Sequence, residues 1–244
     1  MRREHCNTAL EIPIRGSILV IEIKRIRKEI MRVHTIEAGP FQTKGYVISD
    51  DESRGAVIVD VPMQSLELFT KHLLSHKLEL QYIVLTHGHF DHVGDVRALS
   101  ASTNAPVLIH EEDATMLEKP ASVLAGIDID VPGMSAHRFL NDGEQLVCGS
   151  ITMRVIHAPG HTRGHVVLHE AARGVLFAGD VLFHSSIGRT DLPGGDYETL
   201  MKSITERLLT LPDDTVVYPG HGPHTSIGFE RGHNPFIREY FEHF

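Results

Sequence analysis

Residues Thr86 to His92 read T-H-G-H-F-D-H, which puts three imidazoles and a carboxylate into seven positions just after the apolar run Tyr82-Ile83-Val84-Leu85. A hinge or an ordinary surface loop needs far less ligand chemistry. A strand ending near Leu85, followed by a tight turn eased by Gly88, points His87 and His89 toward one place and Asp91 and His92 toward its neighbour. One short loop can then feed two adjacent metals. Imidazole and carboxylate together suit Zn, Fe or Mn, and the heptad's lack of cysteine argues against a thiolate-rich structural zinc site.

Two later segments repeat the arrangement of a histidine in a glycine-rich turn at a strand's mouth. Ala158-Pro159-Gly160-His161-Thr162-Arg163-Gly164-His165 follows Ile151 to Ile156, and Tyr218-Pro219-Gly220-His221-Gly222-Pro223-His224 follows Thr215 to Val217. Between them, the run Gly174-Val175-Leu176-Phe177-Ala178-Gly179 ends in Asp180. Alone, such an aspartate is as readily a solvated strand end as a ligand. Beside two histidine turns it reads as a carboxylate able to bridge two cations. Five imidazoles and two carboxylates then suffice for two metals while leaving positions open to water and substrate.

Strand signals recur at Val33 to Glu37, Tyr46 to Ser49 and Ala56 to Asp60. Leu66, Phe69, Leu73 and Leu74 recur at helical spacing, and Gln81 to Leu85 gives the next strand. This βαβ step delivers the histidine loop to a strand's carboxyl end. A helix from Asp95 to Ser102, a strand from Val107 to His110 and helical turns from Glu111 to Leu117 follow. Strands are then expected at Gln145 to Val147, Ile151 to Ile156, Val166 to His169, Val175 to Phe177 and Thr215 to Tyr218. Asp196 is placed to cap a helix whose buried face carries Leu200, Met201, Ile204, Leu208 and Leu209, and a last helix runs from Pro235 to Phe241. Two β-rich layers with helices on their outer faces account for this order, an α+β sandwich with the ligand loops along one edge. Glu118 to Arg138 reads as a long irregular excursion that either covers the cleft or forms a surface connection.

The chain of 244 residues carries a net charge of −9, a field that repels a phosphate backbone, and no block of Lys and Arg offsets it. Nucleic acid is therefore not an expected partner. Cys6 and Cys148 make no disulfide framework, which fits a reducing cytoplasm. Near the start, Ile18-Leu19-Val20-Ile21 is interrupted by Glu22 and followed by Lys24-Arg25-Ile26-Arg27-Lys28, too short an apolar span for a membrane. Residues 1–30 read as an extension outside the core, with an extra strand from Ile18 to Ile23 or a short basic helix as the alternative. The core domain is expected over 31–244.

From Met31 onward the chain resembles the metallo-β-lactamase-fold hydrolases, and within them the short single-domain bacterial proteins of the glyoxalase II (hydroxyacylglutathione hydrolase) group. The resemblance implies a four-layer αββα sandwich. It makes His87, His89 and His161 ligands of a first metal, Asp91, His92 and His221 ligands of a second, and Asp180 the bridge. Gly188 to Asp196 and the Gly220 to Thr225 segment look like that short group in particular. Compared with longer glyoxalase II enzymes, the chain ends 23 residues after His221, so the helical domain that holds glutathione in them is not expected. Asp180 also stands where true zinc β-lactamases call for a cysteine, which weighs against an antibiotic substrate.

The implied activity is hydrolysis of a small acyl thioester such as S-lactoylglutathione by a metal-bridging hydroxide. Two divalent metals are implied, Zn first, with Fe or Mn accepted by the same ligands. Asp91 and Asp180 are the catalytic carboxylates. Arg189 is a candidate for pairing with a substrate carboxylate, its structural alternative being an ion pair with Asp191 or Asp196, and Phe183 and His184 are candidates to line the cleft. The competing readings are a mononuclear iron persulfide dioxygenase and a non-catalytic metal-binding protein.

Overall fold

Runs of β-branched and aromatic residues, broken at Gly39-Pro40 and at Asp51-Glu52-Ser53, make the start of the core domain a meander. In the computed structural model, which describes residues 8–14, 17–23, 31–120, 123–124, 127–128 and 130–242, the meander comprises β1 (Met31–Ala38), β2 (Thr43–Asp50) and β3 (Gly55–Val59). Helix α1 (Leu66–His76) crosses over to β4 (Glu79–Val84), which pairs parallel to β3. It ends at Lys77, in the left-handed conformation that closes many helices. Helices α2 (Phe90–Val93) and α3 (Val96–Thr103) lead to β5 (Val107–His110), parallel to β4, and the short helix α4 (Ala114–Glu118) follows. A short edge strand, β6 (Arg138–Leu140), completes a six-stranded sheet in sequence order.

The second sheet repeats the plan. Strands β7 (Gln145–Cys148), β8 (Ile151–His157), β9 (Val166–Glu170) and β10 (Val175–Gly179) run antiparallel in turn. Strand β11 (Val216–Pro219) lies parallel to β10, and β12 (Thr225–Ser226) forms the edge. Between β10 and β11 stand a small hairpin (Leu182–Phe183 with Ser186–Ile187) and helix α5 (Tyr197–Lys202), whose last turns widen into a π-helical segment over Ser203–Leu208. Helices α6 (Ile227–His233) and α7 (Pro235–Glu242) follow the edge strand.

Alternation along the strands divides the core into three apolar layers. Tyr46, Ile48, Val57 and Val84 of the first sheet meet Met153, Val155, Leu168 and Phe177 of the second. The opposite face of the first sheet packs Val47, Ile58 and Ile83 against Phe69, Leu73, Val96 and Leu99. The opposite face of the second packs Ile156, Val167 and Leu176 against Leu200, Met201, Ile204 and Ile237. The result is the expected αββα sandwich, with the buried helix face at Leu200 to Leu209 as read from the sequence. Asp196 caps α5 as expected, accepting from Thr199 N at 2.8 Å. One apolar position differs: Leu74 is 74% exposed, because Leu73 is the residue four beyond Phe69 and so takes the inward face of α1.

Three elements depart from the sequence reading. The end of the Glu118 to Arg138 excursion is packed, with Val131, Met134 and Ala136 against the α1/α3 core. Whether its middle covers the cleft concerns residues 121–129, several of which lie outside the described ones. Helix α6 is hidden in the sequence by Gly228 and Gly232, and β6 by its three-residue length. Contacts divide the chain into Met1–Ile30 and Met31–Phe244. Within the first unit, Thr8–Ile14 pairs antiparallel with Ser17–Ile23, so the alternative of a strand near Ile18 to Ile23 is what forms there. Cys148 is a buried free thiol, while Cys6 lies outside the described residues.

Candidate metal centre

Strand β4 ends in a buried stretch, and the chain turns at once into α2, so His87, His89, Asp91 and His92 project at the end of the first sheet. Gly88 is needed here for a reason other than the one its sequence context suggests. Its backbone is not left-handed; instead, a Cβ would lie 2.5 Å from the Met116 Cβ. The β8–β9 turn brings His161, the end of β10 brings Asp180, and the end of β11 brings His221.

These seven residues converge. His87, His89 and His161 form one group of donors, and Asp91, His92 and His221 a second. His89 Nδ1 lies 2.9 Å from His161 Nε2, and His221 Nε2 lies 3.3 Å from Asp91 Oδ2. Asp180 stands between them, with Oδ2 3.6 Å from His161 Nε2 and 3.5 Å from His221 Nε2, and Oδ1 3.3 Å from His92 Nε2. It therefore faces both groups, as a bridging ligand must.

The atoms that face inward are short of partners. His87 Nε2, His92 Nε2 and Asp180 Oδ1 are buried and accept or donate no hydrogen bond within the protein. Buried polar atoms without partners cost free energy unless something else engages them; a cation at the first group would engage His87 Nε2, one at the second His92 Nε2, and Asp180 lies between the two. The opposite nitrogens are held. His92 Nδ1 bonds Asp60 Oδ2 at 2.8 Å, His161 Nδ1 donates to the Arg189 carbonyl at 2.8 Å, and His221 Nδ1 donates to the Phe41 carbonyl at 3.1 Å. Thr86 Oγ1 donates to Asp60 Oδ2 at 2.8 Å, which leaves its oxygen to accept from His87 Nδ1 at 3.0 Å. Fixing one ring nitrogen aims the other, the arrangement by which proteins orient metal-binding imidazoles.

Electrostatics point the same way. Burial pushes the pKa of His87 well down, and burial with the neighbouring His161 pushes that of His89 down to about 4, so both present neutral lone pairs. Burial opposes ionisation of Asp91, but His92 and the bond from His221 outweigh it and hold the carboxyl at about 2. Burial likewise opposes charge on His92 and His221, yet Asp180 and Asp91 raise both. These carboxylates favour positive charge at the centre, whether protons on imidazoles or a cation supply it.

Asp60 and His165 complete the site and carried no site role in the sequence reading. His165 is buried and neutral, its pKa pushed well down by burial; its Nε2 accepts the Asp180 backbone N–H at 3.0 Å and its ring stacks on His87 at 4.7 Å. The only sequence signal for either is place: Asp60 ends an apolar strand, and His165 follows the His161 turn. Phe183 sits near the centre, its ring 6.1 Å from that of His221, whereas His184 stacks on Phe229 at 4.9 Å. The Arg189 guanidinium makes a two-pronged pair with Asp191, with both bonds at 2.7 Å, and is exposed. Its firm link to the site is through its carbonyl on His161, so the structural alternative for this side chain is the one observed.

A profile of the metallo-beta-lactamase superfamily matches residues 38–221, a span that contains all seven donors. The chain belongs to the metallo-beta-lactamase superfamily. Among its relatives is the hydroxyacylglutathione hydrolase GloC of Haemophilus influenzae, 38% identical over 213 residues that cover 85% of this chain and 98% of that protein. Among solved structures, BLEG-1, described as a B3 metallo-beta-lactamase, superimposes with a TM-score of 0.79 at 41% identity, covering 84% of this chain and 99% of its own. TTHA1623 in a di-iron-bound form gives 0.75 at 37% identity, covering 84% and 100%. The superfamily assignment and the paired His/Asp groups together identify a metallo-hydrolase fold with a site able to hold two metals.

Proposed function

We propose that this protein hydrolyses a small acyl thioester of the S-lactoylglutathione type at a two-metal centre. The observation that carries the reading is Asp180 standing within 3.6 Å of donors from both ligand groups, each of whose imidazoles is engaged on its far side or packed in place. Zn is the first expectation for the metals, and the di-iron form of TTHA1623 keeps iron open. When bound, such a pair supplies a water acidified to near neutral pH and an electrophile for the carbonyl oxygen. Asp91 remains a carboxylate at neutral pH, braced by Thr43 Oγ1 at 2.7 Å, and offers an acceptor that orients the attacking water. A thiolate leaves without help from an acid, since an ordinary thiol has a pKa of about 8.5. Phe183, whose ring lies 6.1 Å from that of His221, is the side chain that we assign to the acyl chain.

The similarity to GloC supports the thioester, and the similarity to BLEG-1 brings a β-lactam ring back as a substrate to be assayed despite Asp180. The net charge of −9 favours a small molecule over nucleic acid, and we place the enzyme in the cytoplasm. Among the described residues no helix is long and apolar enough to cross a membrane. The deciding experiment is anaerobic purification with metal analysis, then parallel assays of S-lactoylglutathione hydrolysis, glutathione persulfide oxidation and β-lactam opening. Thioester turnover with two metals per chain is expected. Oxygen-dependent turnover with one iron, or β-lactam opening without thioester cleavage, would overturn the proposal.

A further inference from the structure

Asp113 lies outside the donor set, at the end of the helical turn Glu111–Asp113 that follows β5, and is 1% exposed. Its carboxylate accepts three hydrogen bonds. Oδ2 takes the Gly88 N–H at 3.1 Å and the Thr162 hydroxyl at 2.7 Å, and Oδ1 takes the Gly164 N–H at 2.7 Å. Gly88 stands between the donors His87 and His89, and Thr162 follows the donor His161. The three bonds therefore come from the two loops that together make the first ligand group, one rooted in each sheet. The approach is close enough that a Cβ on Gly164 would lie 2.8 Å from Asp113 Oδ1.

We propose that Asp113 is a positioning residue, a clamp that sets the spacing of the His87–His89 loop against the His161 loop and thereby the affinity of the first metal group. It is not itself a ligand, because its carboxylate belongs to none of the converging donor groups and faces the loop backbones and Thr162 instead. A charged acceptor bonded to several donors is stronger than neutral bonds and holds the loops in one arrangement before any metal arrives. The second group is tied differently, through the β1–β2 turn, where Thr43 braces Asp91 and the Phe41 carbonyl holds His221; among the described residues no carboxylate outside the donor set accepts from both of its loops. This inference rests on the two-metal part of the proposed function and is indifferent to the substrate.

The test is metal affinity of the full chain by chelator competition with Zn²⁺, with H89A and H221A marking which equivalent belongs to which group. D113N turns an amide N–H toward a backbone or hydroxyl donor, and T162V removes one bond while keeping shape. Both are expected to weaken the equivalent marked by H89A about 10–100-fold and to leave the one marked by H221A nearly unchanged, the usual size of such outer effects on metal binding. T162S, which keeps the hydroxyl, should bind like the parent. Equal weakening of both equivalents, or lower metal-free melting temperature with both affinities intact, would make Asp113 a staple of the fold and overturn the inference. Uptake of a single equivalent by the parent would overturn the two-metal reading. The clamp would then stand only if D113N and T162V weaken that one ion and T162S does not.

Discussion

His92 Nδ1 and Asp60 Oδ2 lie 2.8 Å apart, both fully enclosed, and the same carboxylate accepts the backbone N–H and the hydroxyl of Thr86, each at 2.8 Å. Through Thr86 it reaches His87 as well. One buried aspartate thus orients a histidine of each ligand group, from a position 26 residues before the heptad begins.

Replacing that aspartate by asparagine is therefore expected to act on both metals. The amide would offer a single acceptor oxygen where three donors converge, and its N–H would face one of them. D60N should weaken the ion held by His92 about 10–100-fold, with a smaller loss at the group containing His87. Metal-free stability should fall by roughly 2 kcal/mol, the scale of a bond to a buried charged group. Competition with a chelator and denaturant unfolding measure the two effects separately; unchanged affinity at both groups would refute the role given to Asp60.

Asp180 calls for a more severe outcome. Burial works against its ionisation, but His92, His161 and His221 around it hold its pKa well below the ordinary carboxylate range. D180A removes the anion shared by both groups and leaves the two cations to repel each other uncompensated. Both equivalents should bind at least about 100-fold more weakly, and turnover should nearly vanish even in excess metal. A variant that keeps one tight equivalent and most of its activity would show that Asp180 serves a single ion.

The heptad was legible because its donors sit side by side in sequence, and the later turns because glycine and histidine recur after apolar runs. Asp60 and Asp113 were not, because the first is a lone acid at the end of a strand and the second the last of an acidic run, Glu111-Glu112-Asp113, and only the tertiary fold brings donors to either. The same limit applies to Arg189. Its sequence neighbours include Asp191 as well as the loop after Asp180, and the choice between ion pair and substrate contact depends on where the backbone turns. The helical pattern from Leu200 to Leu209 gave the buried face correctly, while the π-helical widening over Ser203–Leu208 leaves no periodic trace of its own.

The Arg189 pair gives a prediction that separates carbonyl from side chain. R189A keeps the backbone oxygen that holds His161, so metal content should stay at the parent value. If the guanidinium leaves Asp191 to meet an anionic substrate, KM should rise several-fold with kcat little changed. Metal analysis and steady-state kinetics on one preparation test both parts. An unchanged KM would confine this side chain to its ion pair.

The last prediction concerns acid stability away from the metals. Asp50, at the end of β2, accepts from Ser53 N at 2.6 Å and from Ser150 N at 2.6 Å, so it joins the β2–β3 turn to the β7–β8 turn of the other sheet. Burial raises its pKa, but these backbone bonds outweigh it and leave the carboxyl at about 2, below its ordinary value of 3.8. A carboxyl depressed on folding contributes stability that is complete above the unfolded pKa and lost as pH falls toward the folded one. The window is therefore from about pH 4 down to about pH 2, and the charge contributes no more than about 2 kcal/mol. Metal-free parent and D50N should differ by up to that amount at pH 5 to 7, and the gap should close as the pH approaches 2. A gap that persists undiminished at pH 2 would trace the effect to the fit of the amide and not to the charge of Asp50.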